Sequence, residues 1–409
     1  MKKPVLTTLL TAAALSFALP ASGADVRTEP RVDLRVEYND NLDLDPVTTS
    51  DSEVTGYIAE ADLLMAIATP RGETSLRPRV RFQDYPDRDD FERFEGFLDM
   101  LSTYEWERST FDFAGNFAHQ DLSNFDTQGG GFDPLDPGAG DPGAGGDSIG
   151  QTRTSLGLAP RFEHRITQRA SLGLGVDFLT TSFDADEGES NRTDYDYGVV
   201  DGFATWALSP SSDFTAGVYA SRYEAEDEVE VTDALGGRIG YTYRWSATDG
   251  LEATINYERN ETEILVPVLA EETTSDVGGT LTAFRKLEVS EWRLSVGRWF
   301  VPTGDNGKAV VDRFRVQYDR SLSPRLTFRG AARYDSRSNL SELNEGNDRD
   351  YARVDLSMKW MMSETWYFGG GYSYIWEDRE QEVSDADNNR LFINFGYQGL
   401  GRQALGDRR

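Results

Sequence analysis

The side chains best equipped for chemistry in this sequence are arginines set two residues apart. Arg77, Arg79 and Arg81 form one run, and Arg313 and Arg315 form another that is followed by Arg329 and Arg333. Arg238, Arg244 and Arg353 hold the same alternate positions in segments of their own. A guanidinium presents a planar fork of donors that fits carboxylate or sulfate oxygens two at a time. On an extended chain, residues two apart share a face, so these forks stack as ladders. Such ladders have two readings. They ligate successive acidic groups of an anionic polymer, or they form ion pairs with carboxylates on neighbouring segments. The second reading has partners ready at polar positions, among them Asp33, Glu37, Glu60, Asp62, Asp99, Asp112, Asp177, Glu252, Glu258 and Asp355.

Other chemistry is thinly supplied. The two histidines, His119 and His164, fall by parity with apolar neighbours, Phe113 and Phe117 for the first and Leu158 and Phe162 for the second. Neither is placed to activate a serine on the polar face, as nucleophilic hydrolysis requires, so no enzyme and no catalytic residue is expected. Asp133, Asp136, Asp141 and Asp147 are oxygen donors of the kind calcium takes, but their spacing matches no calcium loop, and no metal or cofactor is expected. With 0 cysteines the chain has no disulfide framework.

The elements that carry these arginines are strands. Leu235, Gly237, Ile239, Tyr241, Tyr243 and Trp245 alternate with Gly236, Arg238, Gly240, Thr242 and Arg244, a period of two. After Thr248-Asp249-Gly250 the pattern resumes, with Leu251, Ala253, Ile255 and Tyr257 against Glu252, Thr254, Asn256 and Glu258. The same alternation runs through the segments of Arg77–Arg81, Phe111–Phe117, Arg313–Tyr318 and Ala352–Trp360. Connections alternate as well. Short ones such as Thr69–Gly72, Ser209–Asp213 and Ser321–Pro324 separate longer acidic ones at Asp40–Glu53, Asp121–Gly150, Asp184–Arg192, Glu224–Glu230, Glu261–Glu272, Asn339–Asp348 and Glu377–Asp387.

This asymmetry is that of a transmembrane antiparallel β-barrel, with short periplasmic turns and longer outer loops. Counting segments predicts an all-β barrel of about 18 strands over residues 25–400, with 16 as the alternative. Lipid cannot satisfy backbone N–H and C=O groups, so the sheet must close without an edge. Tyr104, Trp106, Tyr241 to Trp245, Trp360, Trp366 and Tyr372 to Trp376 stand near strand ends, where interfacial girdles form. A soluble sandwich or propeller is the competing fold.

Lys2 and Lys3, the apolar stretch Val5–Leu19 and the small residues Ala21–Ala24 have the order of a cleaved secretory signal over residues 1–24. Its loss takes the formal charge from -30 to -32, because those two lysines leave with it. So acidic a chain is unsuited to the phosphate backbone of nucleic acid. The Gly-, Pro- and Asp-rich stretch within 121–150 is expected as a surface loop, and 401–409 as a tail after Tyr397.

The segments RVDLRVEYNDNLDL and RPRVRFQDYPDRDD resemble the family of outer-membrane β-barrel porins found with exopolysaccharide biosynthesis and export genes. The first strand of that family ends in a similar Tyr-, Asp- and Asn-containing motif, here Tyr38, Asn39, Asp40 and Asn41. The resemblance implies a monomeric outer-membrane conduit in contact with lipid, polysaccharide and periplasmic export machinery, and it supplies no catalytic residue. A general diffusion porin for small solutes and a non-conducting structural barrel are the alternatives.

Overall fold

The computed structural model describes residues 25–399 apart from 43, 45–51, 89–91, 123–150, 186–191, 227–229, 265–269, 305–306, 341–347 and 381–384. The expected signal at 1–24, the tail at 401–409 and Asp133, Asp136, Asp141 and Asp147 lie outside these described residues.

Eighteen strands follow in chain order. The first six are β1 (Asp25–Asn39), β2 (Val54–Thr69), β3 (Gly72–Asp84), β4 (Glu92–Glu105), β5 (Ser109–Asp121) and β6 (Gln151–Arg165). Next come β7 (Ala170–Ala185), β8 (Tyr195–Ser209), β9 (Ser212–Ala225), β10 (Glu230–Arg244), β11 (Asp249–Ile264) and β12 (Ala270–Lys286). The last six are β13 (Ser290–Pro302), β14 (Lys308–Ser323), β15 (Leu326–Asn339), β16 (Arg349–Met361), β17 (Trp366–Arg379) and β18 (Ala386–Gln398). Each strand pairs antiparallel with its neighbours in sequence. β18 returns to β1, with Tyr397 opposite Val32 and Arg390 opposite Asn39, so the sheet is a closed barrel without an edge. Of the two strand numbers expected, the larger is the one found.

The alternation read from the sequence sorts side chains inside out relative to a water-soluble protein. On β1, Glu29, Asp33 and Glu37 are buried, while Leu34 is 54% exposed and its neighbours Val32 and Val36 are exposed with it. On β10 and β11, Leu235, Ile239, Ile255 and Tyr257 face outward and are exposed. A charged interior and a bare apolar exterior are stable only where the exterior meets hydrocarbon. Trp106, Trp245, Trp360 and Trp366 are exposed close to the short turns, as an aromatic girdle requires. An even strand number, closure, short turns at one end and longer connections at the other define an outer-membrane barrel.

One expected loop is shorter than its composition suggested. The stretch Glu261–Glu272 is mostly strand, since β11 runs on to Ile264 and β12 begins at Ala270. Arg259 and Glu261 face outward there, both well exposed and 2.9 Å apart in an ion pair. Above the lipid, both faces of a strand are polar, which erases the hydropathy alternation without ending the ladder.

Candidate functional site

The polar face lines the lumen, and strand register determines which charges meet there. Across β2, β3 and β4, Glu60 lies opposite Arg81, Asp62 opposite Arg79, Glu95 opposite Arg81 and Asp99 opposite Arg77. The first arginine ladder therefore stands between two acidic strands. Arg77 Nε donates to Asp62 at 3.1 Å, Arg81 reaches Glu95 at 2.9 Å and Glu60 at 3.4 Å, and Arg79 lies 3.9 Å from Glu60 with its guanidinium 4.0 Å from the centre of the Phe97 ring. This arc is an interlocked network.

The other predicted arginines also face inward, and most have an acid nearby. Arg238 binds Asp201, which Arg161 also approaches at 3.8 Å, and Arg244 lies 3.3 Å from Asp213. Arg313 donates to Asp335 at 2.8 Å, Arg329 to Asp319 at 2.5 Å, and Arg353 grips Asp355 through two bonds of 2.8 and 2.7 Å. Arg333 shares Asp335 with Arg313. The sequence placed Arg313 and Arg315 beside Arg329 and Arg333, and the register refines this: Arg315 lies opposite Arg333, which in turn lies opposite Arg353. Three guanidinium-bearing positions thus run side by side across β14, β15 and β16. Like charges directly opposite repel, and the acids at Asp335 and Asp355 offset that cost.

Charge is segregated around the wall. On β14–β16 the inward positions hold Arg313, Arg315, Arg329, Arg333, Arg337, Arg349, Arg353 and Lys359 against Asp319, Asp335 and Asp355. On β10–β12 they hold Glu230, Glu252, Glu258, Glu272 and Asp276 against Arg238, Arg244 and Lys286. The lumen wall therefore carries a basic arc and an acidic arc.

The described ends of the β13–β14 connection turn inward over the neighbouring arc of the wall. Thr303, Gly304 and Gly307 reach β9 and the residues just before β8, and Lys308 reaches β11. Tyr223 Oη, on β9, donates to the Thr303 carbonyl at 3.1 Å and accepts from the Gly307 amide at 3.1 Å. The Thr193 amide donates to the Gly304 carbonyl at 2.8 Å. Lys308 binds Glu258 on β11 and donates to Asn260 at 3.0 Å, with the side chains of Lys308 and Glu258 only 1% and 3% exposed. Gly307 has φ +89°, and a Cβ there would stand 2.2 Å from Glu230 Oε1, so only glycine fits. Beneath this strap Leu122, Leu179, Phe183, Tyr195, Tyr223 and Ala225 form an apolar cluster inside the lumen. Nothing in the sequence reading singled out Lys308 or Tyr223. The available signal was the Gly304-Asp305-Asn306-Gly307 turn following Pro302.

A second packed group closes around Tyr85, with Leu42 and Val54. The Tyr85 hydroxyl donates to Glu37 at 2.7 Å and accepts from Gln83 at 2.8 Å. Burial, followed by the nearby Glu37 carboxylate, pushes the Tyr85 phenol well above its ordinary range. At the rim between β7 and β8, Asp194 accepts from the Phe183 amide at 2.7 Å. Burial raises its carboxyl, as do Glu226 and Asp184 nearby. The histidines keep their expected outward positions, His119 against Thr154 and His164 against Ser109, each at 2.9 Å.

No family model and no curated protein matches this chain. Among solved structures, it is similar to Pseudomonas aeruginosa OccK2 (OpdF), at 10% identity over 92% of this chain and 99% of that one, with a TM-score of 0.46. It is also similar to Pseudomonas aeruginosa OccK1 (OpdK), at 13% identity, 91% and 98% coverage and a TM-score of 0.44. Acinetobacter baumannii OccAB4 stands at 12% identity, 91% and 98% coverage and 0.43. These likenesses are too distant to say what this barrel carries.

Proposed function

We propose that this protein is a porin-like conduit for small solutes across the outer membrane, in place of the exopolysaccharide exporter that the sequence resemblance implied. The observation that carries the proposal is the strap. Thr303 and Gly307, pinned by Tyr223, and Lys308, paired with Glu258, form a strap that reaches inward from β13 and β14 to β9 and β11, which narrows the outer mouth along that arc and obstructs a continuous polymer chain. Eighteen-stranded barrels are otherwise wide enough for an aqueous channel. The segregated charges supply the second element of selection, because a charged ring or arc at a constriction favours solutes of opposite sign.

The arginine ladders serve this function as structure first. Most of their charge is already engaged by Asp62, Glu60, Glu95, Asp201, Asp319, Asp335 and Asp355, which leaves few forks for successive groups of an acidic polymer. Liposome swelling with the purified barrel tests the reading. Monosaccharides and small organic acids are expected to enter and long oligosaccharides to be refused. Entry of a long anionic polysaccharide at a comparable rate would return the exporter to first place.

A further inference from the structure

Resting on the small-solute reading, we infer that the mouth opens by strand exchange: Trp299–Pro302 of β13 leave the strap and zip onto Ser275–Gly278 of β12, displacing the Asp276 carboxylate that holds the two apart. The starting point is a ladder that stops early. β12 pairs with β11 from Arg285 to Ala270, yet with β13 only from Lys286 to Gly279. β13 in turn pairs with β14 as far as Pro302. Above the Gly279–Arg298 pair, Ser275–Gly278 and Trp299–Pro302 each keep one strand neighbour and, among the described residues, have no strand on the side where the other should lie. The parting is built by glycine. A Cβ at Gly297 would stand 2.6 Å from the Gly279 carbonyl oxygen, and one at Gly278 2.9 Å from that of Arg298, so the backbones approach too closely for side chains where β13 turns inward.

The seam is oriented for pairing. The Leu287 amide bonds the Ser290 carbonyl at 2.7 Å, so it faces β13. N–H groups alternate sides along a strand, which turns those of Gly279, Val277 and Ser275 the same way. On β13, the Thr303 amide bonds the Gly307 carbonyl at 3.0 Å, so odd positions face the β14 side and the Phe300 N–H faces β12. Continuing the existing register puts Val277 opposite Phe300 and Ser275 opposite Pro302. Val277 and Phe300 would then exchange both backbone bonds, and the Ser275 amide would bond the Pro302 carbonyl. Pro302 has no N–H and ends the ladder there. Val277 and Phe300 would meet on the lipid face, where Val277 is now 54% exposed.

Asp276 occupies this place instead. Its carboxylate accepts at 2.6 Å from the Val277 amide, the donor that Phe300 would take, and lies 3.7 Å from Arg298. By parity Asp276 belongs to the inner face and Arg298 to the outer, so the two meet through the open seam. The two seats of the hairpin exclude one another. The Thr303 carbonyl now accepts from Tyr223 on β9 at 3.1 Å; with Trp299–Pro302 in the wall it would stand four strand spacings away, about 19 Å. Zipping therefore withdraws the strap, and docking it strips the seam. One hairpin with a backbone ladder in one seat and the buried Lys308–Glu258 pair in the other is a two-state gate.

Cysteine pairs test this directly, since the chain has no cysteine of its own. In liposomes, Val277→Cys with Phe300→Cys is expected to oxidise to a disulfide, because opposite residues of such a ladder bring their Cα atoms to about 5.5 Å, within disulfide range. The off-register pair Thr273→Cys with Phe300→Cys is expected to stay reduced. Linking 277 to 300 should raise single-channel conductance to a steady level that a reductant reverses. Adding Asp276→Ala should speed the linking about tenfold, the scale of a hydrogen bond to a charged group, with folding of each variant checked by heat-modifiable gel mobility. Absence of the 277–300 disulfide, equal linking of the off-register pair, unchanged conductance on linking, or an unchanged rate in Asp276→Ala overturns the exchange. Swelling assays separate this from the conduit reading. A barrel that admits small solutes yet never links retires the exchange alone. One that links and conducts ions more freely, yet refuses monosaccharides, retains the exchange and retires the conduit.

Discussion

Replacing Lys308 with Met should release the strap that reaches inward from β13 and β14 to β9 and β11. The ammonium lies 3.0 Å from Asn260, binds Glu258 and sits 6.0 Å from the centre of the Tyr197 ring, with almost none of its surface exposed. Met fills a similar volume but leaves the Glu258 carboxylate buried without its cation. Breaking a buried pair in this way costs about 3–5 kcal/mol, a change of roughly two to four orders of magnitude in the ratio of docked to undocked strap. The Tyr223 hydrogen bonds to Thr303 and Gly307 remain, each worth about 1 kcal/mol, which is too little to offset the loss. Single-channel recording in a planar bilayer reads the outcome as a larger mean conductance and altered open-state noise for Lys308→Met and for Glu258→Gln. The double variant removes both charges and should lie closer to the parent than either single variant. Identical conductance in all four proteins, or single effects that simply add, would refute the pin, because a real pair leaves a coupling term in such a cycle.

Other expectations follow from the same geometry. Gly307→Ala forces a left-handed φ on a residue with a Cβ and drives it into Glu230, so it should mimic Lys308→Met in conductance while leaving the heat-modifiable barrel intact. Ile239→Arg places a guanidinium on the lipid face opposite Ile255, and in denaturant titrations of the refolded barrel it should cost roughly 2–4 kcal/mol if the site is near the bilayer midplane. For Asp194 the carboxyl pKa is raised in the folded state, so the folded barrel holds that proton more tightly than the unfolded chain. The resulting penalty is present above the folded pKa and fades as pH falls through it toward the ordinary carboxylate range. Asp194→Asn, which keeps an acceptor for the Phe183 amide, should be more stable than the parent at neutral pH and lose that advantage on acidification, as measured by thermal gel-shift at a series of pH values.

Most of the barrel was legible because a membrane strand carries its environment in alternate letters. Leu235 to Trp245 and Leu251 to Tyr257 fix both the element and its two faces, and the arginines assigned to the polar face all point inward. Where both faces are wet, as at Glu261 to Glu263, the letters stop alternating, and strand was read as loop. The site was less legible. Whether Arg79 or Arg315 holds a solute or a neighbouring acid depends on cross-strand register, which spacing within one segment does not carry. The strap was invisible for a related reason: Tyr223, Glu258 and Lys308 are brought together only by closure and by an inward fold of one short turn. Tyr223 and Phe183 read as strand aromatics, and only the packed cluster distinguishes them from the girdle.

Everything rests on the two faces of each strand meeting two different solvents, and the absence of native cysteine makes that directly measurable. Single cysteines introduced one at a time from Leu235 to Thr242, in protein reconstituted into liposomes, can be challenged with a membrane-impermeant maleimide. Positions 236, 238, 240 and 242 should react through the lumen, while 235, 237, 239 and 241 should resist and report lipid when probed with a bilayer-confined quencher. Uniform reactivity along the strand, or protection of the even positions with labelling of the odd ones, would contradict the account.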